Sequence, residues 1–425
     1  MYLSGSKWNL RKKRRRSNPW RVILLLCLLA AAVYFWQAYI PETPPLFIPT
    51  PTPTRSPASY VLEAENLFRA GKLQQAEEAY LEAIAAAPRE PAYHIELARV
   101  RMFAGKYELA EQAARDAMVI NPDSALAHAF LGWSLDFQAS RVRDPAERTA
   151  LMAEAVQETE RALDLNPNAP EVRAFYAEVL IDSNISTYEQ ALEHARAAVS
   201  LDKESLEAHR ALGYVWELTG NRELALESYL TARNLNPNLP SLHIDVGNMQ
   251  RALGDVEGAR ESYLRAVTLA PTSTEPLSLL VQLYAGIGDY GVASQYAQQA
   301  VELDPANPRL RGNLARMYYH NGLLEEAVAQ FDLAIRGGMS PEGAFVEGLP
   351  LEIIQQDGRV LEFYYTYGLA LAKLGVCEDA VEIFRAILQT VPDNEIAVFN
   401  AEEGLVLCGE LERTPTPEGE VTPTS

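Results

Sequence analysis

The feature that most constrains this chain is a pattern that returns every 34 residues. One stretch reads Leu212-Gly213, Trp216, Gly220, Ala225, Tyr229, Ala232 and Pro237, and the next reads Val246-Gly247, Gly254, Ala259, Tyr263, Ala266 and Pro271. A period of that size marks a supersecondary unit that cannot bury its apolar face alone and must stack on copies of itself. Length would otherwise divide the 425 residues into two or three domains. A stack instead grows as one elongated body without a central core. The residue types have physical jobs. Small residues at the Gly/Ala step let two helices approach, and the aromatic fills the space they leave. Gly at the bend takes φ values that other residues avoid, and Pro ends one helix and orients the next.

The pattern runs through most of the chain. Early copies carry Leu67, Gly71, Ala76, Tyr80 and Pro88, then Leu97-Ala98, Gly105, Ala110 and Pro122. A third opens at Leu131-Gly132, takes eleven extra residues near 140–150 and closes at Pro167, with Asp144-Pro145 expected to start the lengthened helix. A fourth has two residues inserted near Ser186 and Lys203 where Pro is usual. Later copies show Tyr284, Gly288 and Ala293, then Leu314-Ala315, Gly322 and Phe331, then Gly368, Gly375 and Phe384. Between the last two lies a loop expected over 337–358. This spacing and these residue types resemble the tetratricopeptide repeat. The resemblance implies an all-α fold, a right-handed α-solenoid of about nine helix-turn-helix units over 58–410, closed by an amphipathic capping helix near 395–408.

Charge is unevenly spread. Eight of the 37 basic residues fall in the first 21 positions, and no acidic residue precedes Glu42, so the remainder carries 29 basic against 57 acidic residues. An array this acidic repels nucleic acid and anionic headgroups. Residues 22–40 contain no charge and would span about 28 Å as a helix. The basic run before them predicts a transmembrane signal anchor with residues 1–21 cytoplasmic and the array outside. A signal peptide cleaved at Ala30-Ala31-Ala32 is the alternative. Residues 41–57 read as a Pro/Thr-rich spacer and 411–425 as a disordered tail of the same composition.

No motif for catalysis, cofactor or metal stands out, and the chain is read as a non-enzyme. Gly286-Ile287-Gly288-Asp289-Tyr290-Gly291 has glycine-loop spacing but follows a helix and falls on a bend, where a nucleotide loop needs a strand before it. His94, His128, His209 and His243 share one slot of successive units and are expected to fill space between helices. Cys377 begins the second helix of the ninth unit and Cys408 ends the cap. Bends stack along one edge of a solenoid, which would bring these thiols within disulfide reach, two free thiols being the alternative.

The resemblance implies that first helices line a concave groove that binds proteins or peptides. Groove-facing candidates are Phe68, Met102, Phe103, Trp133 and Phe137, an apolar strip that meets a partner, packs against the Pro-rich linker or is buried by superhelical curvature. Further along come Arg210, Tyr214, Glu217, Asn248, Arg251, Gln282, Arg309, Arg316, Tyr319 and His320. Relatives that hold a terminal carboxylate use a Lys/Asn/Arg clamp, and that full set cannot be placed here. The expected role is a membrane-anchored scaffold for an envelope complex, with a glycan or small-ligand receptor or an accessory subunit of a membrane enzyme as alternatives. Partner identity, pathway and oligomeric state stay open at this level.

Overall fold

The computed structural model describes residues 18–39 and 55–412, with side chains in the first stretch through Phe35. The basic run and most of the spacer and tail lie outside the described residues. The chain divides into two compact units, residues 1–55 and 56–425. The first contains one helix, α1 (Pro19–Tyr39), of 21 residues. Counted over the described residues, no helix is long and apolar enough to cross a membrane.

Among the described residues, the second unit holds nine α-helix pairs and a final helix. The pairs are α2 (Pro57–Arg69) with α3 (Leu73–Ala86), α4 (Pro91–Phe103) with α5 (Tyr107–Ile120), α6 (Ala125–Ala139) with α7 (Pro145–Leu165), and α8 (Pro170–Ser183) with α9 (Tyr188–Leu201). They continue as α10 (Leu206–Leu218) with α11 (Arg222–Leu235), α12 (Pro240–Ala252) with α13 (Val256–Leu269), and α14 (Glu275–Gly286) with α15 (Tyr290–Leu303). Last come α16 (Pro308–His320) with α17 (Leu324–Ile335), α18 (Gly358–Lys373) with α19 (Cys377–Thr390), and the cap α20 (Glu395–Leu407).

Local chemistry sets these boundaries. Many first helices begin with Pro at their first or second position, where its missing N–H costs nothing. Second helices bury an Ala stripe, such as Ala110, Ala113, Ala114 and Ala117 in α5, pairing high helix propensity with close approach. The aromatic of one helix occupies the place of an absent side chain on its neighbour: a Cβ at Gly213 would stand 2.7 Å from Tyr229 Cδ1. The eleven-residue insertion lengthens α7 to 21 residues, and Asp144 caps it by accepting from the Ala146 N–H.

Three of the four histidines in the shared slot have one role, while His94 Nε2 is shut off from solvent without a hydrogen-bond partner. Nε2 of His128, His209 and His243 lies 2.9, 3.0 and 2.9 Å from the carbonyl oxygens of Pro122, Lys203 and Pro237. Counting 34 residues through both insertions places Arg173 and Arg311 in the same slot, and their Nε atoms donate to the Pro167 and Pro305 carbonyls. Each of these side chains thus ties a first helix to the loop that precedes it, answering a carbonyl that the closing turn leaves free.

Two features depart from a plain repeat array. The segment 337–358, expected as a loop, folds into an antiparallel hairpin of β1 (Gly338–Met339) and β2 (Phe345–Val346) followed by a short 3₁₀ turn. Arg311, fully buried, clamps it: besides Pro305 it donates to Gln330 at 2.9 Å and to Glu342 at 2.7 Å. Cys377 and Cys408 are disulfide-bonded with a Cα–Cα distance of 5.4 Å, fastening the cap to the ninth unit.

Candidate ligand-binding groove

The inner face differs between the two halves of the solenoid. In the first half the aromatic strip is a continuous ladder. Ring centroids run from Phe68 to Phe103 at 5.6 Å, from Phe103 to Trp133 at 5.9 Å, and from Trp133 to a stacked Phe175 at 4.2 Å. Phe68, Met102, Phe103 and Trp133 are all buried, and Phe137 is half-buried. The reason is superhelical closure. The connection between α11 and α12 reaches back to the first unit, where Asn238 donates to the Arg69 carbonyl at 2.9 Å and Asn236 to that of Phe68 at 3.4 Å. Gly71 makes this approach possible, because a Cβ there would sit 2.1 Å from the Asn238 carbonyl oxygen. Arg99 adds an ion pair to Glu207 at 2.6 Å. Of the readings open for the apolar strip, burial by superhelical curvature is the one seen here: the strip packs against the chain itself.

A polar network lies beside the ladder. Glu178 accepts from Trp133 Nε1 at 2.8 Å and from the buried Arg210 guanidinium, which also stands 4.8 Å from the Trp133 ring centroid. Tyr214 donates to Asp182 at 2.8 Å, and Tyr229 donates to Glu217 at 2.7 Å. Burial pushes the carboxyls of Asp136, Glu178, Asp182 and Glu217 above the usual carboxylate range, and neighbouring carboxylates add to this for Asp136. Burial raises Asp245 to about 7 despite the opposing Arg210 charge. Arg210 and Tyr214 are thus interior members of this network.

The second half keeps an open stretch. A recess of about 350 Å³ is lined by Arg251, Gln282, Tyr290, Arg316, His320 and Arg359, with Glu362 at its wall. Glu362 accepts from Arg316 and Arg359, each at 2.9 Å. Arg316 Nε is shut off from solvent without a partner. His320 stacks on Tyr290 at 4.5 Å, and burial followed by the Arg316 charge lowers its pKa, favouring the neutral ring. Three guanidiniums against one carboxylate leave this recess basic within an acidic domain, and such groups suit bidentate binding of carboxylate.

Of the sequence candidates, the structure brings together Arg251, Gln282, Arg316 and His320. Asn248 instead accepts from the Tyr263 hydroxyl at 2.8 Å. Arg309 is paired with Asp357 at 2.5 Å, and Tyr319 sits under the Lys373 ammonium at 4.4 Å. Arg359, Glu362 and Tyr290 were missed. Glu178 was findable, because counting through the eleven-residue insertion places it in one slot with Trp133, Tyr214, Asn248, Gln282 and Arg316. Among the described residues, no three His, Cys, Asp or Glu side chains are grouped to hold a metal ion.

The described residues of the second unit form an all-α solenoid of paired helices with an inner groove. The profile of the tetratricopeptide repeat matches residues 61–135, 186–240 and 279–344. No curated protein matches the sequence significantly. Similar solved structures include a thermophilic TPR protein, TTC0263, from Thermus thermophilus, at 16% identity over 46% of this chain and 98% of that one, TM-score 0.39. Another is YrrB, described as a TPR protein with an unusual peptide-binding site, at 19% identity over 49% and 97%, TM-score 0.37. Yeast Tom70 aligns at 13% identity over 82% and 96%, TM-score 0.38. At these TM-scores the likenesses say nothing of function.

Proposed function

We propose that this protein is a membrane-anchored interaction scaffold whose second-half groove binds an acidic peptide segment of a partner protein in an envelope complex. The observation that carries the reading is the basic recess of Arg251, Arg316 and Arg359 in a domain otherwise rich in acid. An acidic side chain or a chain terminus would take the guanidinium edges that Glu362 leaves free. The uncharged run 22–40 behind a basic N-terminus supports an anchor with the array outside the cytoplasm, and the Cys377–Cys408 bond is consistent with an oxidising compartment.

Fluorescence polarisation with the full chain in detergent micelles tests the groove. Acidic dodecapeptides should bind more tightly than neutral or basic ones, and binding should weaken with salt. Arg251→Glu with Arg316→Glu should reduce affinity at least tenfold while leaving the helical signal unchanged. Equal binding of basic and acidic peptides, or indifference to the double substitution, refutes the proposal. Protease added to spheroplasts tests the topology, and an array protected until lysis reverses it.

A further inference from the structure

A second, distinct cavity lies inside the closed half. It measures about 230 Å³ and sits between the inner face of α4 and α6 and the starts of α12 and α14. Its apolar wall includes Phe103, Tyr107, Trp133 and Phe137, and its polar wall includes Arg210, Ser241 and Asp245. Three atoms of that polar wall are shut off from solvent with no hydrogen-bond partner: Arg210 Nε, Ser241 Oγ and Asp245 Oδ2. Buried polar atoms are seldom left this way, because each forfeits its hydration without return. The two oxygens are acceptors that a donor would answer, while Arg210 Nε, itself a donor, is not answered by the same group.

The sign of the missing group follows from the charges present. Asp245 faces Glu178, Glu217 and Glu275 as well as Arg210, and the Arg210 guanidinium is already bonded to Glu178. The remaining titratable neighbours are Tyr107 and Tyr229, with the Arg141 guanidinium 4.4 Å from the Tyr107 ring centroid. An ammonium group would be neutralised by the Asp245 carboxylate at the wall, and the aromatic walls favour a cation over an anion. Size follows from volume. A dry cavity of roughly 150 Å³ admits benzene, so this one has room for a ring with a short arm or for an aliphatic chain of similar bulk.

We propose that this cavity binds an organic ammonium ion with an apolar body, either a free amine or the lysine side chain of a partner, with Asp245 as its counter-ion. Ammonium binding requires the ionised carboxylate, and burial holds Asp245 near 7. Affinity should therefore be roughly tenfold weaker at pH 6 than at pH 8.

Titration calorimetry on the full chain in detergent tests the site with benzylammonium chloride, with toluene and benzoate as neutral and anionic counterparts. Benzylammonium should bind at least tenfold more tightly than either. Asp245→Asn should abolish that preference while the helical signal is kept. A parallel titration with N-acetyl-lysine amide distinguishes the sources: binding of the free amine alone assigns a small molecule, and binding of the lysine derivative assigns a partner side chain. Equal binding of toluene would mean an apolar void only, and tighter benzoate would mean an anion site. Either result overturns the proposal, as does failure of all these probes to bind. Should Asp245→Asn fail to fold, the unsubstituted protein at pH 6 and pH 8 carries the same test, and an unchanged affinity refutes it.

Discussion

Gly71 and Gly105 offer a matched pair for measuring superhelical closure. Both sit at the bend of a unit, with φ of +72° and +71°. Alanine at either position forces a Cβ into the left-handed region at roughly 1–2 kcal/mol. They differ in surroundings. A Cβ at Gly105 meets nothing within 4 Å, while one at Gly71 stands 2.1 Å from the Asn238 carbonyl oxygen. Ordinary contact begins near 3.4 Å, so the α11–α12 connection must retreat by on the order of 1 Å or more. That retreat breaks the Asn238 and Asn236 hydrogen bonds to the first unit, at about 0.5–1.5 kcal/mol each. Gly71→Ala should therefore cost about 1–3 kcal/mol more than Gly105→Ala. Repeat arrays need not unfold in one step, so amide hydrogen exchange is the suitable assay. Extra loss of protection should centre on α2, α3 and the start of α12, with a larger radius of gyration by small-angle scattering. Equal costs for the two substitutions, with unchanged dimensions, would refute the closure argument.

Three further outcomes are expected. Asp245 is raised to about 7 by burial, so its folded form holds a proton more tightly than the unfolded chain does. Stability from this group is full below about pH 4, falls as pH climbs, and is lost above about 7; melting at pH 5 and pH 8 should show the protein more stable at pH 5, with Asp245→Asn narrowing the gap. The Cys377–Cys408 bond spans 31 residues; reduction or Cys408→Ser should destabilise the ninth unit and cap by about 3–4 kcal/mol on the chain-entropy estimate, read by exchange in α19 and α20, and thiol titration of the denatured, unreduced protein should find only Cys27 free. Arg311→Met removes the buried side chain that holds the hairpin through Glu342; Glu342 is exposed, so no buried charge is stranded, and the expected loss is about 1–3 kcal/mol from the forfeited hydrogen bonds, with new protease cleavage between Met339 and Phe345.

The helix pairs were legible because each depends on contacts within one period: Gly213 against Tyr229, Ala stripes along second helices, Pro at helix starts. Groove fate was not legible, because it depends on superhelical pitch. Small rotations at every junction decide whether Asn238 meets Gly71, and no single residue encodes their sum. Trp133 therefore reads as groove-facing in register while curvature makes it interior. The insertions hid a second class of residue. Glu178 falls in step with Trp133 only after the eleven extra residues are counted out, and Arg359 follows a hairpin that resets the period. The hairpin itself rests on Arg311, whose partner Glu342 lies 31 positions away in a segment with no strand-like alternation to announce it.

The contact between Gly71 and the connection at Asn238 also bears on how such a gene can change. Tandem duplication and loss of whole units are the ordinary mutational route by which repeat arrays lengthen and shorten. Gaining or losing a unit between these two points would swing Asn238 away from Gly71 by one unit's rotation and expose Phe68 and Phe103 to water. Beyond the α11–α12 connection, the start of α14 still faces α4 and α6 across the cavity, and Arg143 pairs with Asp357 at 3.5 Å. Copy-number variants recovered under selection for soluble expression should accordingly cluster after residue 276 and be rare before it.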